Sequence, residues 1–547
     1  MLAAGLVFLC LCLDAAHLET PTVDEFAHLP AGAVYLDQGN FTLFAKNPPL
    51  MKMLMALPLT LRSELQVPAP GAQDLDQGWG PWRYADRFAR ANGSDFLKLF
   101  FPARVVVILF GLGTGALLGL WAAQLFGTRA AAWTTALFFT TPVVLAHAHL
   151  ATVDVACMFS VLLSMYLLRG ACIQPTLARF ALAGAAWGVA LSIKYTALLL
   201  APAVLLLVLV WRRARPGRAL LEIALVGACA LLTVNLTMGF SGAFMPLENF
   251  QLVSGFGQSL QQFLPGALPV PLPADYLVGF DAVKLDTERG EFGSYLLGEW
   301  SREGRWYHDP VAFLSKTPLP VLALLGVGIA LPRRFFSRER LSARELATVL
   351  IPILALGTAL IGLNRAKLGI RYLLPLLPFL YLLIAGVFAG LRGRAAFWVP
   401  ALSLAWVAIS VAFTHPGYLS HFNLAAGGES RGHRILIDSN LDWGQDLYRL
   451  PGALAEFDLD PKAAPVHLLY FGHVDPALYG IEYRLVPPRP VDGLVAVSVN
   501  YLMGYPYPAR GPDGRWAEIA RGHAAWLRDQ TPDLRLGSIW IFDRRKR

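Results

Sequence analysis

Thr22-Val23-Asp24-Glu25-Phe26-Ala27-His28 follows the first apolar segment of a 547-residue chain, and it sets two adjacent carboxylates and a histidine where that segment ends. Asp24 and Glu25 precede His28 by four and three residues, so a helix brings these side chains onto neighbouring faces. Such a cluster at a membrane surface can take a proton from an acceptor nucleophile. The same letters form a capping box, Thr22-x-x-Glu25, and acids in a first turn suit the helix dipole. Cap and active site are compatible readings.

The acids stand out because charge is scarce. The chain is 55% hydrophobic and 15% charged, with a mean hydropathy of +0.49, whereas soluble domains carry about 25% charged residues. Long apolar runs account for the difference. The sequence therefore predicts a polytopic α-helical membrane protein of about 11 spans, within a range of roughly 10–13. They fall near 1–17, 102–126, 130–148, 153–170, 178–194, 195–211, 219–240, 316–332, 346–362, 371–391 and 395–413. The first is short for a bilayer, which suggests a start inside the true first helix, and it lacks the basic flank and cleavage site of a signal peptide. The run 178–211 is divided at Lys194 because it is too long for one helix and a charge marks its middle.

Orientation follows from the arginines. With the N-terminus cytoplasmic, Arg129, Arg169, Arg179, Arg212, Arg213, Arg215, Arg218, Arg333, Arg334, Arg338, Arg340, Arg344, Arg392 and Arg394 all fall on the inner side. The net charge of +8 thus reflects membrane orientation, and no basic stripe interleaved with aromatics points to nucleic acid. The outer side receives 18–101, 241–315, 363–370 and everything after 414. All five cysteines lie in or beside apolar segments, without zinc-type spacing.

Several outer residues are candidates for chemistry. Asn364–Tyr372 carries Arg365, Lys367 and Arg371 on the side where positive charge opposes insertion, so an anion is the natural compensation and a salt bridge the plain alternative. Lys46 precedes Pro48-Pro49 at headgroup level, and Lys194 and Lys316 are further cations at span ends. His147, His149 and Asp154 offer ligands for a divalent metal, or simple hydrogen bonds at a helix end. Asp154 opens an apolar helix, where a carboxylate either caps or acts. Residues 241–315 are rich in aromatics and suit an amphipathic layer on the membrane, or a wall for sugar or lipid.

After 414 the composition becomes that of a small α/β domain. Strands are predicted at 434–438, 466–471, 494–499 and 538–543, and helices at 443–457, 475–480 and 514–528. Between the first strand and helix stands Asp438-Ser439-Asn440-Leu441-Asp442-Trp443-Gly444-Gln445-Asp446. A polar turn there is placed either for ligand recognition or as an elaborate helix cap.

Taken in order, Asp24-Glu25, Pro48-Pro49-Leu50, Ala151-Thr152-Val153-Asp154, Gly369-x-Arg371-Tyr372-Leu373-Leu374-Pro375, Tyr418-x-x-x-Phe422-Asn423 with Gly427-Gly428, and Asp438–Asp446 show a resemblance. The set resembles bacterial phospholipid-carrier-dependent glycosyltransferases, related to the protein O-mannosyltransferases and the aminoarabinose lipid A transferases. That resemblance implies a GT-C-type bundle over 1–413 and a periplasmic α/β domain over 414–547 in the inner membrane. It also implies a polyprenyl-phosphate-linked sugar donor, an acceptor hydroxyl on protein, lipid or glycan, and inversion at the sugar carbon. Asp24 would be the general base, Glu25 its neighbour, and Asp154 the acid that orients acceptor or metal. Arg371 would hold the donor phosphate with Tyr372 beside it, and Lys46, Lys194, Arg365 and Lys367 would add positive charge. His28, His149, Asp438, Asn440, Asp442, Trp443 and Gln445 would serve acceptor or sugar recognition. An acid or histidine commonly precedes the Pro-Pro in that family; here Lys46-Asn47 stands there, which weakens a metal site and supplies a phosphate partner. No cofactor is required by this reading, and a divalent cation is the one candidate.

Two rivals remain on sequence grounds. A lipid-sugar transporter would show internal repeats or broken helices in matching halves, and no repeat is evident. A catalytically decayed scaffold would lack Asp24 or Arg371, and both are present.

Overall fold

The computed structural model describes all residues except 214, 291–292, 337–340, 364, 458–464 and 546–547. Arg338, Arg340 and Asn364, used in the sequence reading, lie outside the described residues. The chain begins with the apolar helix Leu2–Leu18, turns through 19–22, and re-enters a helix at Val23–Gln38 inclined 90° to the first. The capping box forms: the Thr22 backbone N–H donates to Glu25 Oε2 at 2.9 Å.

Glu25 does more than cap. Its Oε1 accepts from Arg104 Nε at 2.7 Å and from the Ala151 backbone N–H at 2.6 Å, while Oε2 accepts from Arg104 Nη2 at 2.8 Å. Arg104 Nη1 then donates to the carbonyls of Ala16 and Glu19, at 2.9 and 2.7 Å. One fully buried ion pair thus fastens the end of the first helix, the start of the second, helix Phe100–Phe126 and the 149–153 turn. The Pro48-Pro49 bend leads into helix Leu50–Ala56, which packs on Val23–Gln38 so closely that a Cβ on Gly32 would lie 2.0 Å from the Lys52 carbonyl oxygen.

Among the described residues seven helices are long and apolar enough to cross a membrane, or ten if each of three bent pairs makes one span. Helix Leu177–Ile193 is a shorter apolar helix beyond these. The structure thus keeps the expected multi-pass class and redraws several of the eleven spans. The expected 130–148 span breaks into Thr128–Phe139 and Pro142–Ala148, bent by 61°, because Pro142 cannot continue the hydrogen-bond ladder. Likewise the Thr317-Pro318 step separates His308–Lys316 from Leu319–Ala330 at 117°. The run 178–211 does divide at Lys194, which is extended between Leu177–Ile193 and the turn that opens Ala201–Arg212.

The C-terminal part is built on a mixed five-stranded sheet of β1 (Val466–Leu469), β2 (Tyr483–Leu485), β3 (Leu494–Ser498), β4 (Leu534–Leu536) and β5 (Ile539–Asp543). The order is β2-β1-β3-β5-β4. β1 runs parallel to β2 and β3, with Leu468 opposite Ala496; β5 runs antiparallel to β3 and β4, with Ile541 opposite Ala496. The apolar β3 and β5, buried throughout, form its centre. Two expected elements differ. Residues 434–438 are no strand but turns leading to Asp438, whose φ of 57° ends any extended run. Helix 514–528 shrinks to Ala525–Arg528, since Gly514 and Gly522 both take positive φ. Strands β2 and β4 were missed because each is short and only partly buried. The sheet's core is continuous with that of the helical bundle.

Removing one partner of a buried ion pair costs about 3–5 kcal/mol, because the other charge is stranded. Glu25→Ala is therefore expected to lower the melting temperature of the detergent-purified protein sharply. Asp24→Asn, whose side chain is 23% exposed, is expected to leave it near wild type. Equal melting temperatures for Glu25→Ala and wild type would contradict the fastening role.

Candidate active site

The helix entered at Thr22 carries Asp24 to the head of the bundle, and there it meets Arg371, 347 positions later, through a 2.6 Å contact between Oδ2 and Nη1. Arg371 is the second residue of the segment Ile370–Leu376 that feeds helix Leu377–Gly390. Its guanidinium lies 4.6 Å from the centre of the Trp443 ring and 5.7 Å from that of Tyr372. A second acid–cation pair, Asp154 with Lys194, sits alongside, and the Lys194 ammonium is 4.5 Å from the Tyr372 ring. The charges of Asp24 and Asp154 both act on Arg371. Five of the expected residues, Asp24, Asp154, Lys194, Arg371 and Tyr372, are thus brought together.

Several polar atoms around them are buried without a partner. Arg371 Nε makes no hydrogen bond, and neither ring nitrogen of His28 or of His147 has one among the described residues. Both imidazoles feel the charges of Asp154 and Arg371. Buried polar groups are nearly always satisfied, so an orphaned guanidinium N–H beside two orphaned imidazoles marks a place built to receive a polar ligand. His147 was expected as a metal ligand or as a hydrogen-bonded helix-end histidine; among the described residues neither of its ring nitrogens has a partner.

The run 438–446 supports this site from behind. Asn440 Oδ1 accepts from the Ile370 backbone N–H at 3.0 Å, and Ser439 Oγ donates to the Leu368 carbonyl at 3.0 Å. Gly369, with φ of 95°, lets the two strands of backbone meet, since a Cβ there would lie 2.0 Å from Asn440 Oδ1. Gln445 Oε1 accepts from the Trp443 N–H at 2.8 Å, and its amide donates to the Leu441 carbonyl at 3.0 Å. The Trp443 and Gln445 carbonyls accept from Val23 and Thr20, both at 3.0 Å, so the run also grips the turn that launches Asp24. Asn440, Asp442 and Gln445, expected to recognise sugar or acceptor, are instead buried and engaged internally. Trp443 meets the site through its ring, and Asp438, in left-handed backbone and half-buried, is the one acid of the run that shares the field of Asp24 and Arg371. Burial pushes the Asp438 carboxyl up to about 6.

Other expected residues are spent elsewhere. Glu25 is filled by Thr22, Arg104 and Ala151 and presents no lone pair to the site. Lys46 pairs with Asp286 at 2.5 Å. Lys367 pairs with Asp309 at 2.8 Å and donates to the carbonyls of Leu360 and Ile361. Arg365 is exposed and outside the cluster. His149 Nδ1–H donates to the Leu145 carbonyl at 2.6 Å, and its Nε2 lies 2.9 Å from Glu19 Oε2, so both ring nitrogens are engaged there. Among the described residues no group of three His, Cys, Asp or Glu side chains is placed to hold a metal, so the His147–His149–Asp154 set does not assemble.

Lys52, absent from the sequence reading, and Lys316, read as a cation at a span end, have no carboxylate partner among the described residues. Lys52 donates to Tyr35 Oη and the Asn47 carbonyl, at 3.1 and 2.7 Å, and Lys316 to the carbonyls of Leu419 and Asn440, both at 2.7 Å. Both therefore order loops around the site, Lys316 directly behind the 438–446 run. A lysine inside the apolar stretch 50–61 was the available signal for Lys52.

Residues 96–238 match the family described as dolichyl-phosphate-mannose-protein mannosyltransferase. Over that segment, which contains Asp154 and Lys194, the resemblance read from the sequence is matched. Among solved structures the chain is similar to ArnT from Cupriavidus metallidurans bound to undecaprenyl phosphate, at 14% identity and a TM-score of 0.49, covering 99% of this chain and 97% of that one. It is also similar to the oligosaccharyltransferase AglB of Archaeoglobus fulgidus in complex with an inhibitory peptide and a dolichol-phosphate, at 11% identity and a TM-score of 0.43, covering 97% and 75%. Scores below 0.5 describe a general likeness and carry nothing about chemistry. No curated protein sequence matches the chain.

Asp442 supplies a pH test of the supporting run. Its Oδ1 and Oδ2 accept from the backbone N–H groups of Gly444 and Asn500, at 3.3 and 3.4 Å, and burial pushes its carboxyl up to about 8. An acid whose folded pKa lies above its unfolded value is favoured by folding in its protonated form, so its contribution is full at low pH and is lost as pH rises between the two values. The wild-type melting temperature is expected to fall from about pH 4 to about pH 8 on this account, and Asp442→Asn to flatten that slope. An unchanged slope would remove Asp442 as its source.

Proposed function

We propose that the protein is a membrane glycosyltransferase that moves a sugar from a polyprenyl-phosphate donor to an acceptor hydroxyl at the outer face of the membrane. The observation that carries this is the Asp24–Arg371 contact beside Asp154–Lys194, with Arg371 Nε and two buried imidazoles left without partners. The match of residues 96–238 to a family named for a dolichyl-phosphate-linked sugar supports the same donor class. The arrangement holds both halves of the chemistry, a carboxylate to accept a proton and cations to receive a leaving phosphate.

The donor phosphate enters against Arg371 and Lys194. A guanidinium binds two phosphate oxygens in a planar fork, and its vacant Nε gives it a second edge for doing so. As Arg371 turns to the phosphate it gives up Asp24, whose carboxylate then faces the acceptor hydroxyl. The acceptor oxygen attacks the anomeric carbon, its proton passes to Asp24, and the bond from that carbon to the phosphate oxygen breaks with both electrons going to the leaving polyprenyl phosphate. Attack opposite the leaving group inverts the carbon. Asp154 keeps Lys194 in place and adds negative field toward the oxocarbenium-like transition state. General-base help is worth about 10²–10⁴-fold and preorganised cations about 10²–10³-fold. The 438–446 run fixes Arg371, and Glu25 fixes Asp24, so both are positioning elements. On this reading residues 1–413 form the catalytic bundle and 414–547 an outer domain that buttresses it.

Polyprenyl phosphate release from short-chain polyprenyl-phosphate sugars is the direct test, with purified wild type, Asp24→Asn and Arg371→Ala, each with and without EDTA. Wild type is expected to release it, and both variants to fall at least about a hundredfold. With no three-ligand metal cluster among the described residues, EDTA is expected to leave the wild-type rate unchanged. Variants that match wild type would remove the base-and-clamp mechanism, and a broad donor panel left unconsumed would return the transporter reading.

A further inference from the structure

Next to the site lies a cleft of about 500 Å³ whose walls come from two distant parts of the chain. Arg289 and Arg302 come from the second large polar region, Trp300 from the hairpin strand Glu299–Ser301, and Tyr505 and Arg521 from the C-terminal part. The side chains of Arg302 and Arg521 thus meet at one concavity. Arg302 and Arg521 are exposed. Surface cations are commonly solvated singly and mean little. These are gathered on a recessed wall, and the Arg521 guanidinium is held 5.3 Å from the Trp300 ring centre.

The aromatic pair adds the second half of a recognition surface. Trp300 and Tyr505 have ring centres 5.1 Å apart, and the Trp300 indole N–H is spent on the Met503 carbonyl at 2.9 Å, which fixes the ring. Ring contacts also lead from Tyr505 toward the helix of Asp24, since His473, at their far end, lies 5.4 Å from Phe26. From Tyr505 the aromatic surface runs on to Tyr507, 5.9 Å away, and then to His473. Flat aromatic faces suit the apolar face of a sugar ring, and forked guanidiniums suit phosphate or carboxylate.

We propose that this cleft binds the acceptor, and that the acceptor is a saccharide bearing a phosphate or carboxylate, its ring against Trp300 and Tyr505 and its anionic group on Arg302 and Arg521. The word acceptor rests on the glycosyltransferase reading; the binding of an anionic saccharide does not.

The test is binding to the full-length protein in detergent, followed by calorimetry, with three tetrasaccharides of equal length: one phosphorylated, one containing uronates and one neutral. The chain variants are wild type, the double variant Arg302→Ala/Arg521→Ala, and Asp24→Asn. At least one anionic tetrasaccharide is expected to bind at least about tenfold more tightly than the neutral one, and the double variant to lose at least about tenfold of that affinity. The double variant should keep the wild-type melting temperature and its affinity for polyprenyl phosphate, and Asp24→Asn should bind the tetrasaccharides as wild type does. The phosphorylated and uronate arms identify which anion the cleft takes. Equal affinity for charged and neutral sugars, binding of none of them, or an unaffected double variant would overturn the proposal. The two readings fail separately: anionic binding through the arginines with no sugar transfer removes only the enzyme, and transfer to neutral acceptors without charge preference removes only the cleft.

Discussion

A carboxylate with no exposure at all holds this structure's active end together. Glu25 receives two bonds from Arg104, one from Ala151 and two from Thr22, and Arg104 passes the constraint on to the carbonyls of Ala16 and Glu19. The desolvation of two charges is offset only when nearly every lone pair and N–H is filled, and here five bonds fill the carboxylate. The 90° turn between the first two helices follows, and so does the placement of the 149–153 turn that starts the Asp154 helix. Asp24, one residue earlier, inherits a fixed position without sharing in the bonds that fix it. The division of labour between neighbouring acids is set by which one the buried arginine takes.

Pairing alone does not distinguish a working cation from a structural one. Lys46, Lys367 and Arg371 each have a carboxylate within hydrogen-bond reach. Lys367 is exhausted: one acid and two carbonyls take all three of its N–H donors. Among the described residues the buried Arg371 Nε has no partner, and the Trp443 and Tyr372 rings lie 4.6 and 5.7 Å from its guanidinium, so it keeps donor capacity that Lys367 lacks. Unspent donor capacity, more than charge, separates the two.

This explains how far the residues could be read in advance. Asp24, Asp154, Lys194 and Arg371 were legible because charge at the end of an apolar run is costly and demands a reason. The break at Lys194 was legible for the same cause. Which acid meets which cation was not, since Arg371 and Asp24 are 347 positions apart and Lys367 lies only four positions before Arg371. The 438–446 run misled because polar residues in a turn look the same whether they face ligand or backbone; only Asn440 reaching Ile370 shows which. Trp300 lay in the aromatic-rich region 241–315, read as a membrane layer or a wall for sugar or lipid, whereas Tyr505 and Tyr507 gave no signal, because aromatic residues in irregular loops carry no period.

The 438–446 run then gains a physical reason for its composition. It must approach two other backbones at once, the 368–371 segment and the 20–23 turn, and side-chain amides are the groups that can bond to a backbone running past them without adding charge. Close approach in turn requires glycine where a Cβ would collide. Gly369 meets Asn440, and Gly444, at φ of 89°, would place a Cβ 2.7 Å from the Phe471 carbonyl oxygen. Through these contacts the cation and the acid of the site are referred to one rigid element on the C-terminal sheet. The Ile370 N–H bond to Asn440 thus holds the backbone that carries Arg371. The sheet is thus tied to the bundle by the geometry of its head, and the single continuous core between them is what that tie requires.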